Sequence, residues 1–215
     1  MNRQIAVSSE MFAPGMKIIG LSELRPLDGF VSARPTPFKK KPIEWFFNSL
    51  LHRKSKKEWP GGSFIHANHN AFLVGDVMGV RSDFEWTFPT ARMKEFEAWR
   101  ADPTVALVVR PKAAESLLMW DDPGSVENFT REVYRWCLKH NGRWYDALQA
   151  AGIYFNNRKL MFGGKYMVCS VGYRAAVEQF CGKLEGAKHE VWNALPCDPV
   201  NEPEHFEVFG VDMEG

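Results

Sequence analysis

Tyr166-Met167-Val168-Cys169-Ser170-Val171-Gly172-Tyr173 is the stretch on which the fold turns. A short apolar lead-in delivers a cysteine onto the first turn of a helix in which Cys169, Gly172, Ala176 and Phe180 share one stripe. Gly182 is placed to stop that helix. A helix N-terminus carries unpaired N–H groups and partial positive charge, which ease loss of a thiol proton and offer donors to an oxyanion. Cys169 is therefore the candidate nucleophile. Cys137 and Cys181 fall late in their helices, and Cys197 lies in a proline-bounded loop.

A nucleophilic thiol needs a base. Of the six histidines, His66 and His69 sit beside the best strand, which runs through Asn70-Ala71-Phe72-Leu73-Val74. A His-x-x-His pair shares a face on a helix, where it could hold zinc, but points to opposite faces on a strand. Gly61, Gly62, Asn68 and Asn70 disfavour a helix, so no metal site is expected. On the strand, His69 shares a face with Ala71 and Leu73, opposite Phe72 and Val74, and is the candidate general base.

Asp83 to Phe88 reads as a further strand with Phe84, Trp86 and Phe88 on one face and Glu85 and Thr87 on the other. A neighbouring strand can set the Glu85 carboxylate against the His69 ring, where it would fix the imidazole tautomer. Tyr166, Ser170 and Asn68 flank these groups and are the candidate substrate contacts. The chemistry asks for no cofactor.

At 215 residues the chain suits one domain with an arm: an N-terminal arm or first strand over residues 1–23 and a single domain over 24–215. Its 27 basic and 26 acidic side chains leave a net charge of +1, which excludes the strong basic excess of a dedicated nucleic-acid binder. The four cysteines form no CxxC pair, and the N-terminus lacks the pattern of a secretory leader. The expectation is a cytoplasmic protein, or one released or carried in a virus particle without a signal peptide. No apolar run approaches the ~20 residues that span a bilayer.

Leu24 to Val31 reads as a turn feeding a strand, and the proline-rich Arg34 to Pro42 as a loop. Ile43, Phe46, Phe47, Leu50 and Leu51 mark one face of a helix flanked by lysines; a solvated basic edge is favoured there over a membrane contact. Gly75-Asp76 ends the first strand, Val77 to Val80 is another strand candidate, and Met93 to Arg100 reads as a short helix. Val105 to Val109 is a buried strand. Pro123 to about Gly142 suits a helix with Ser125 as its N-cap and Val126, Phe129, Val133, Trp136 and Cys137 as its buried stripe. A second helix or turn opens at Arg143 to Asp146, and an acidic tail closes the chain after Leu195-Pro196.

The order of these pieces carries a resemblance. Asp28-Gly29 before a strand, then Asn68-His69-Asn70-Ala71-Phe72-Leu73-Val74-Gly75, Phe84-Glu85-Trp86, Val105 to Arg110, Gly142-Arg143-Trp144-Tyr145-Asp146 and Val168-Cys169-Ser170 resemble the circularly permuted papain-like proteins. These are the permuted branch of the NlpC-type cell-wall hydrolases, with the lecithin-retinol acyltransferases as cousins. The likeness spans about residues 24 to 200.

In that family the histidine precedes the cysteine and the cysteine opens a helix with Cys-Ser, so the resemblance makes Cys169 the nucleophile, His69 the base and Glu85 its orienting group. The chain departs from the family at Val171, where Glu is common, and at Asn70-Ala71, where Val-Gly is common. The implied fold is α+β, a central antiparallel sheet packed against the helix that carries Cys169. The implied activity is a cysteine peptidase or amidase on an amide bond, with a peptide or peptidoglycan-derived substrate. Acyl or lipid processing on the same fold, or a catalytically silent module of a virus particle or secretion apparatus, are the alternatives.

Overall fold

The computed structural model describes residues 16–33, 39, 42–64, 66–87, 89–96, 105–117, 122–157, 159 and 167–212. Seven strands form one sheet in the order β1-β7-β6-β2-β3-β4-β5. They are β1 (Lys17–Gly20), β2 (Gly29–Ser32), β3 (His69–Val77), β4 (Val80–Trp86), β5 (Ala91–Glu95), β6 (Val105–Pro111) and β7 (Phe206–Asp212). Every pairing is antiparallel except that of β1 with β7. The helices are α1 (Pro42–Glu58), α2 (Lys112–Leu117), α3 (Pro123–His140), α4 (Ala147–Phe155), α5 (Cys169–Cys181) and α6 (Asp198–Asn201). The α+β class expected from the sequence is what the chain adopts, with a mixed, mostly antiparallel sheet.

Strand alternation divides the interior in two. Phe72, Val74, Phe84 and Trp86 project to the face covered by α3 and α5, joining Val133, Cys137, Cys169, Tyr173 and Val177 in the larger core. Ala71, Leu73, Phe30 and Val108 project to the other face and pack with Ile19, Leu21, Leu24, Phe96 and Phe209. Ile19 and Leu21 are buried, and β1 pairs in parallel with β7 at the edge of the sheet. Residues 1–15 lie outside the described residues.

Several local expectations are corrected by long-range pairing. The strand through His69 does not end at Gly75: a bulge between Leu73 and Gly75 lets it continue to Val77, and Met78-Gly79 form the hairpin turn. Gly75 needs its glycine, since φ is +110° and a Cβ would press on Thr130 of α3. Met93 to Glu95, expected to begin a helix running to Arg100, instead belong to strand β5, held in register against β4, and residues 97–100 lie outside the described residues. The acidic tail supplies β7, which lies inside the sheet between β1 and β6. Asp122, not Ser125, caps α3, its carboxylate accepting from the N–H groups of Gly124 and Ser125 at 3.1 and 3.2 Å.

Asp28 and Gly29 have separate structural duties. The buried Asp28 carboxylate takes a two-pronged contact from Arg110 at 2.8 and 2.7 Å, which ties the start of β2 to β6. Gly29 leaves room for the Tyr173 ring, on which an added Cβ would overlap. The Tyr173 hydroxyl lies 3.3 Å from the carbonyls of both Leu27 and Val109, so α5 is pinned to the sheet from below Cys169. Among the described residues no helix is long and apolar enough to cross a membrane.

Candidate active site

The site forms where the N-terminus of α5 meets the start of β3. Val168 is the N-cap of α5 in extended conformation, and Cys169 is its first helical residue. The first intrahelical bond runs from the Gly172 N–H to the Val168 carbonyl at 2.9 Å. Earlier N–H groups in that turn have no intrahelical acceptor, so they face whatever lies at the helix end. Gly182, with φ +82°, closes the helix at its other end as its sequence position suggested.

Cys169 is 1% exposed, His69 8% and Glu85 fully buried, so the three groups meet away from bulk water. His69 Nε2 lies 2.9 Å from Glu85 Oε2. The bond is diagonal across the β3–β4 pair: Glu85 sits opposite Ala71, two residues along the same face from His69. With Nε2 engaged by the carboxylate, Nδ1 is the ring nitrogen left to serve the thiol. The Cys169 thiol itself donates to the Asn68 carbonyl, with a sulfur–oxygen distance of 3.7 Å.

Burial alone would push the Cys169 thiol up. The hydrogen bond and charge of His69, together with the Asn70 and Ser170 N–H groups, outweigh that penalty and bring it below the ordinary thiol range. The other three cysteines behave oppositely. Burial pushes Cys181 up to about 11 and Cys197 up to about 12, and raises Cys137 further still. One thiol of four is set apart by its surroundings.

Glu85 carries more than the histidine. Arg92 Nε donates to Glu85 Oε1 at 3.1 Å, and the Lys94 ammonium contacts the same oxygen. Both cations come from β5, where Arg92 is the register partner of Glu85. They set two positive charges against the buried carboxylate, which divides its oxygens between them and His69. The sequence signal for them is the Arg92/Lys94 alternation, which a helix beginning at Met93 cuts in two.

The substrate-contact expectations divide. Asn68 is at the site through its carbonyl. The Ser170 hydroxyl is turned away and donates to the Ala194 carbonyl at 2.7 Å, so it anchors the helix start and only its N–H serves the thiol. Tyr166 lies outside the described residues. Sequence reasoning missed Gln149, on the first turn of α4, whose side-chain carbonyl accepts the Val168 N–H at 2.9 Å and fixes the peptide leading into Cys169. His66 stands apart in the preceding turn, against Phe64 and His52.

No family model matches this chain, and no curated protein or solved structure does. What the site can do is therefore read from its geometry: a lowered thiol, an imidazole held by a buried carboxylate, and helix N–H groups beside the sulfur. That set has the parts of a nucleophile, a proton shuttle and an oxyanion binder.

The role of Glu85 is testable apart from any substrate. Glu85→Gln keeps the shape but removes the charge that favours imidazolium, so the thiolate becomes harder to form and the rise of Cys169 alkylation moves to higher pH. The iodoacetamide rate at pH 6 is expected to drop about tenfold or more. A pH–rate profile that superimposes on the unaltered protein's would remove Glu85 from the triad.

Proposed function

We propose that the chain is a cysteine hydrolase of the permuted papain-like type acting on an amide bond, most directly a peptide bond such as those of peptidoglycan stem peptides. The observation that carries this reading is the alignment of Glu85, His69 and a Cys169 thiol lowered in spite of complete burial. In the first step His69 Nδ1 takes the Cys169 proton and the thiolate attacks the scissile carbonyl carbon. The Cys169 N–H, at the open end of α5, is placed to donate to the oxyanion that forms; one such donor is worth about 10² to 10³ in rate.

The imidazolium, held by Glu85, then gives its proton to the departing amine as the carbon–nitrogen bond breaks. A thioester between Cys169 and the acyl fragment remains. Water adds to it with His69 again taking a proton, and the thioester cleaves to release the carboxylic acid and restore the thiol. Glu85 keeps one face of the ring toward the sulfur throughout and is not itself protonated.

The test is digestion of purified peptidoglycan and of a mixed peptide library, with new amino termini counted by mass spectrometry. Cleavage by the unaltered chain that is lost in both Cys169→Ala and His69→Ala is expected. Full turnover in both variants would refute the mechanism. A second reading, acyl transfer or removal on a lipid, draws support from α1, which exposes Trp45 at 41% and Phe46 at 51% toward its start and carries the exposed Arg53, Lys56 and Lys57 toward its end. Co-sedimentation with anionic liposomes together with release of fatty acid, in place of peptide cleavage, is the outcome that would favour it.

A further inference from the structure

A second polar constellation lies on the other side of the α5 N-terminus. Between α5 and the segment 183–192 is a cavity of about 790 Å³. Met167 and Val171, which bracket Cys169 in the chain, form part of its wall, as do the apolar Leu184, Ala187 and Val191. Glu185 and Glu190 are exposed and stand at its mouth; Leu184, Gln149 and His189 are buried and stand deeper.

His189 is the unusual member. It is 6% exposed, and its Nδ1 lies 3.0 Å from both oxygens of Asp198. Asp198 is itself buried and also accepts from the Leu195 N–H at 2.7 Å and Trp59 Nε1 at 2.9 Å. A carboxylate so supplied with donors fixes the ring orientation and the tautomer. Nε2 of His189 has no hydrogen-bond partner among the described residues. With Nδ1 engaged by Asp198, Nε2 is the ring nitrogen left open on a residue that lines the cavity.

Carboxylates outnumber cations along its wall. Glu178, Glu185 and Glu190 line the cavity against the single cation Lys183, which lies 3.8 Å from Glu185. Glu178 gives one oxygen to Arg174 and Glu190 one oxygen to the Trp192 indole N–H, which leaves each a second oxygen. An apolar wall, a buried ring nitrogen and an excess of carboxylate at the rim together suit a ligand that donates hydrogen bonds, carries positive charge and has a hydrocarbon stem.

We propose that this cavity binds a primary ammonium or guanidinium group on an aliphatic stem, such as a lysine-like or arginine-like side chain. The stem lies against Met167, Val171 and Leu184, and the cationic end is shared by His189 Nε2 and the glutamates. The proposal does not depend on Cys169 being a nucleophile, because binding is read without turnover.

The experiment is a titration of the full chain, labelled with ¹⁵N in its histidine rings, with Nα-acetyl-L-lysine amide. Nα-acetyl-L-norleucine amide is the control with the same stem and no charge. Saturable binding is expected to move the His189 ring resonances, with the lysine amide at least about fivefold tighter than the norleucine amide. Glu185→Gln with Glu190→Gln, two exposed changes that touch no member of the buried Asp198 network, is expected to weaken the lysine amide about 3- to 10-fold. Ala187→Trp, which fills the cavity, is expected to abolish binding.

Equal affinity for the two amides, indifference to the paired glutamate changes, or no saturation by about 10 mM would each overturn the proposal. Should Ala187→Trp fail to fold, the norleucine control and the glutamate pair decide the matter by themselves.

Discussion

Replacing His69 with alanine is expected to slow iodoacetamide labelling of Cys169 at pH 7 by about tenfold to a hundredfold. Burial raises the Cys169 thiol, and the hydrogen bond and charge of His69 are the largest influences that bring it down. Removing the ring leaves the burial and takes away the compensation. The thiol then stands higher than an exposed one, and its labelling rises with pH only where ordinary thiols are already ionised.

The sign follows from the direction of the shift. In the intact protein the folded thiol ionises more readily than the unfolded one, so this group's contribution to folding is fully present above the unfolded thiol value and fades as pH falls through the folded value. In His69→Ala the order reverses, and ionisation of the thiol at high pH works against the fold. Peptide mapping of the labelled protein checks the assignment, since Cys181, raised to about 11, and Cys197, raised to about 12, contribute almost nothing at neutral pH. Rapid labelling of the variant at pH 7, equal to that of the unaltered chain, would show that His69 does not activate the thiol.

Gly172→Ala is expected to cost about 1–3 kcal/mol of stability and to slow Cys169 labelling together with it. On a helix, alanine ordinarily gains over glycine. Here a Cβ at position 172 would overlap the indole of Trp86, which is 1% exposed and rigid. Neither side can give way cheaply: Trp86 packs edge-on against Phe84 and Trp136, with ring centroids 4.8 and 5.7 Å apart.

Trp86 is also the strand neighbour of Glu85, and Gly172 lies one turn beyond Cys169. Lifting α5 off Trp86 therefore separates the helix bearing the sulfur from the strand bearing the acid. Urea denaturation gives the first effect and alkylation of the folded variant the second. A variant as stable as the parent, with unchanged labelling, would mean that the glycine contact does not set the spacing of helix and sheet.

The site was legible where it is local. Cys169 at the start of a helix and Gly182 at its end follow from residue type and spacing, and the facing of His69 follows from two-residue alternation along β3. The diagonal contact of Glu85 with His69 needed strand pairing, which no spacing within either segment dictates; alternation and the resemblance both pointed to the residues, and the register supplied the contact.

Other parts were hidden for identifiable reasons. Ala91 to Glu95 carries helix-forming residues and becomes a strand because β4 offers it an unpaired edge. Glu204 and Glu207 made the last segment look like a solvated tail, although Phe206 and Phe209 are buried and β6 and β1 close on it from both sides. The turned-away hydroxyl of Ser170 depends on the Ala194 carbonyl, 24 residues later. His189 was counted only as one of six histidines, because its partner Asp198 and the cavity beside it exist only after the 183–197 segment has folded back.

The place of β7 in the sheet bears on how the protein is made. Strands β2 to β5 can pair as soon as residues 29–95 have been synthesised, and with them His69 and Glu85 can meet. Strand β6 then waits with one edge uncovered, and β1 has no neighbour in the sheet until residues 206–212 arrive between them. Closing the sheet thus joins segments almost two hundred residues apart in the chain, a slow kind of contact to form. Throughout that interval the β6 edge is open to other chains, and slow translation of the residues between β6 and β7 would prolong its exposure.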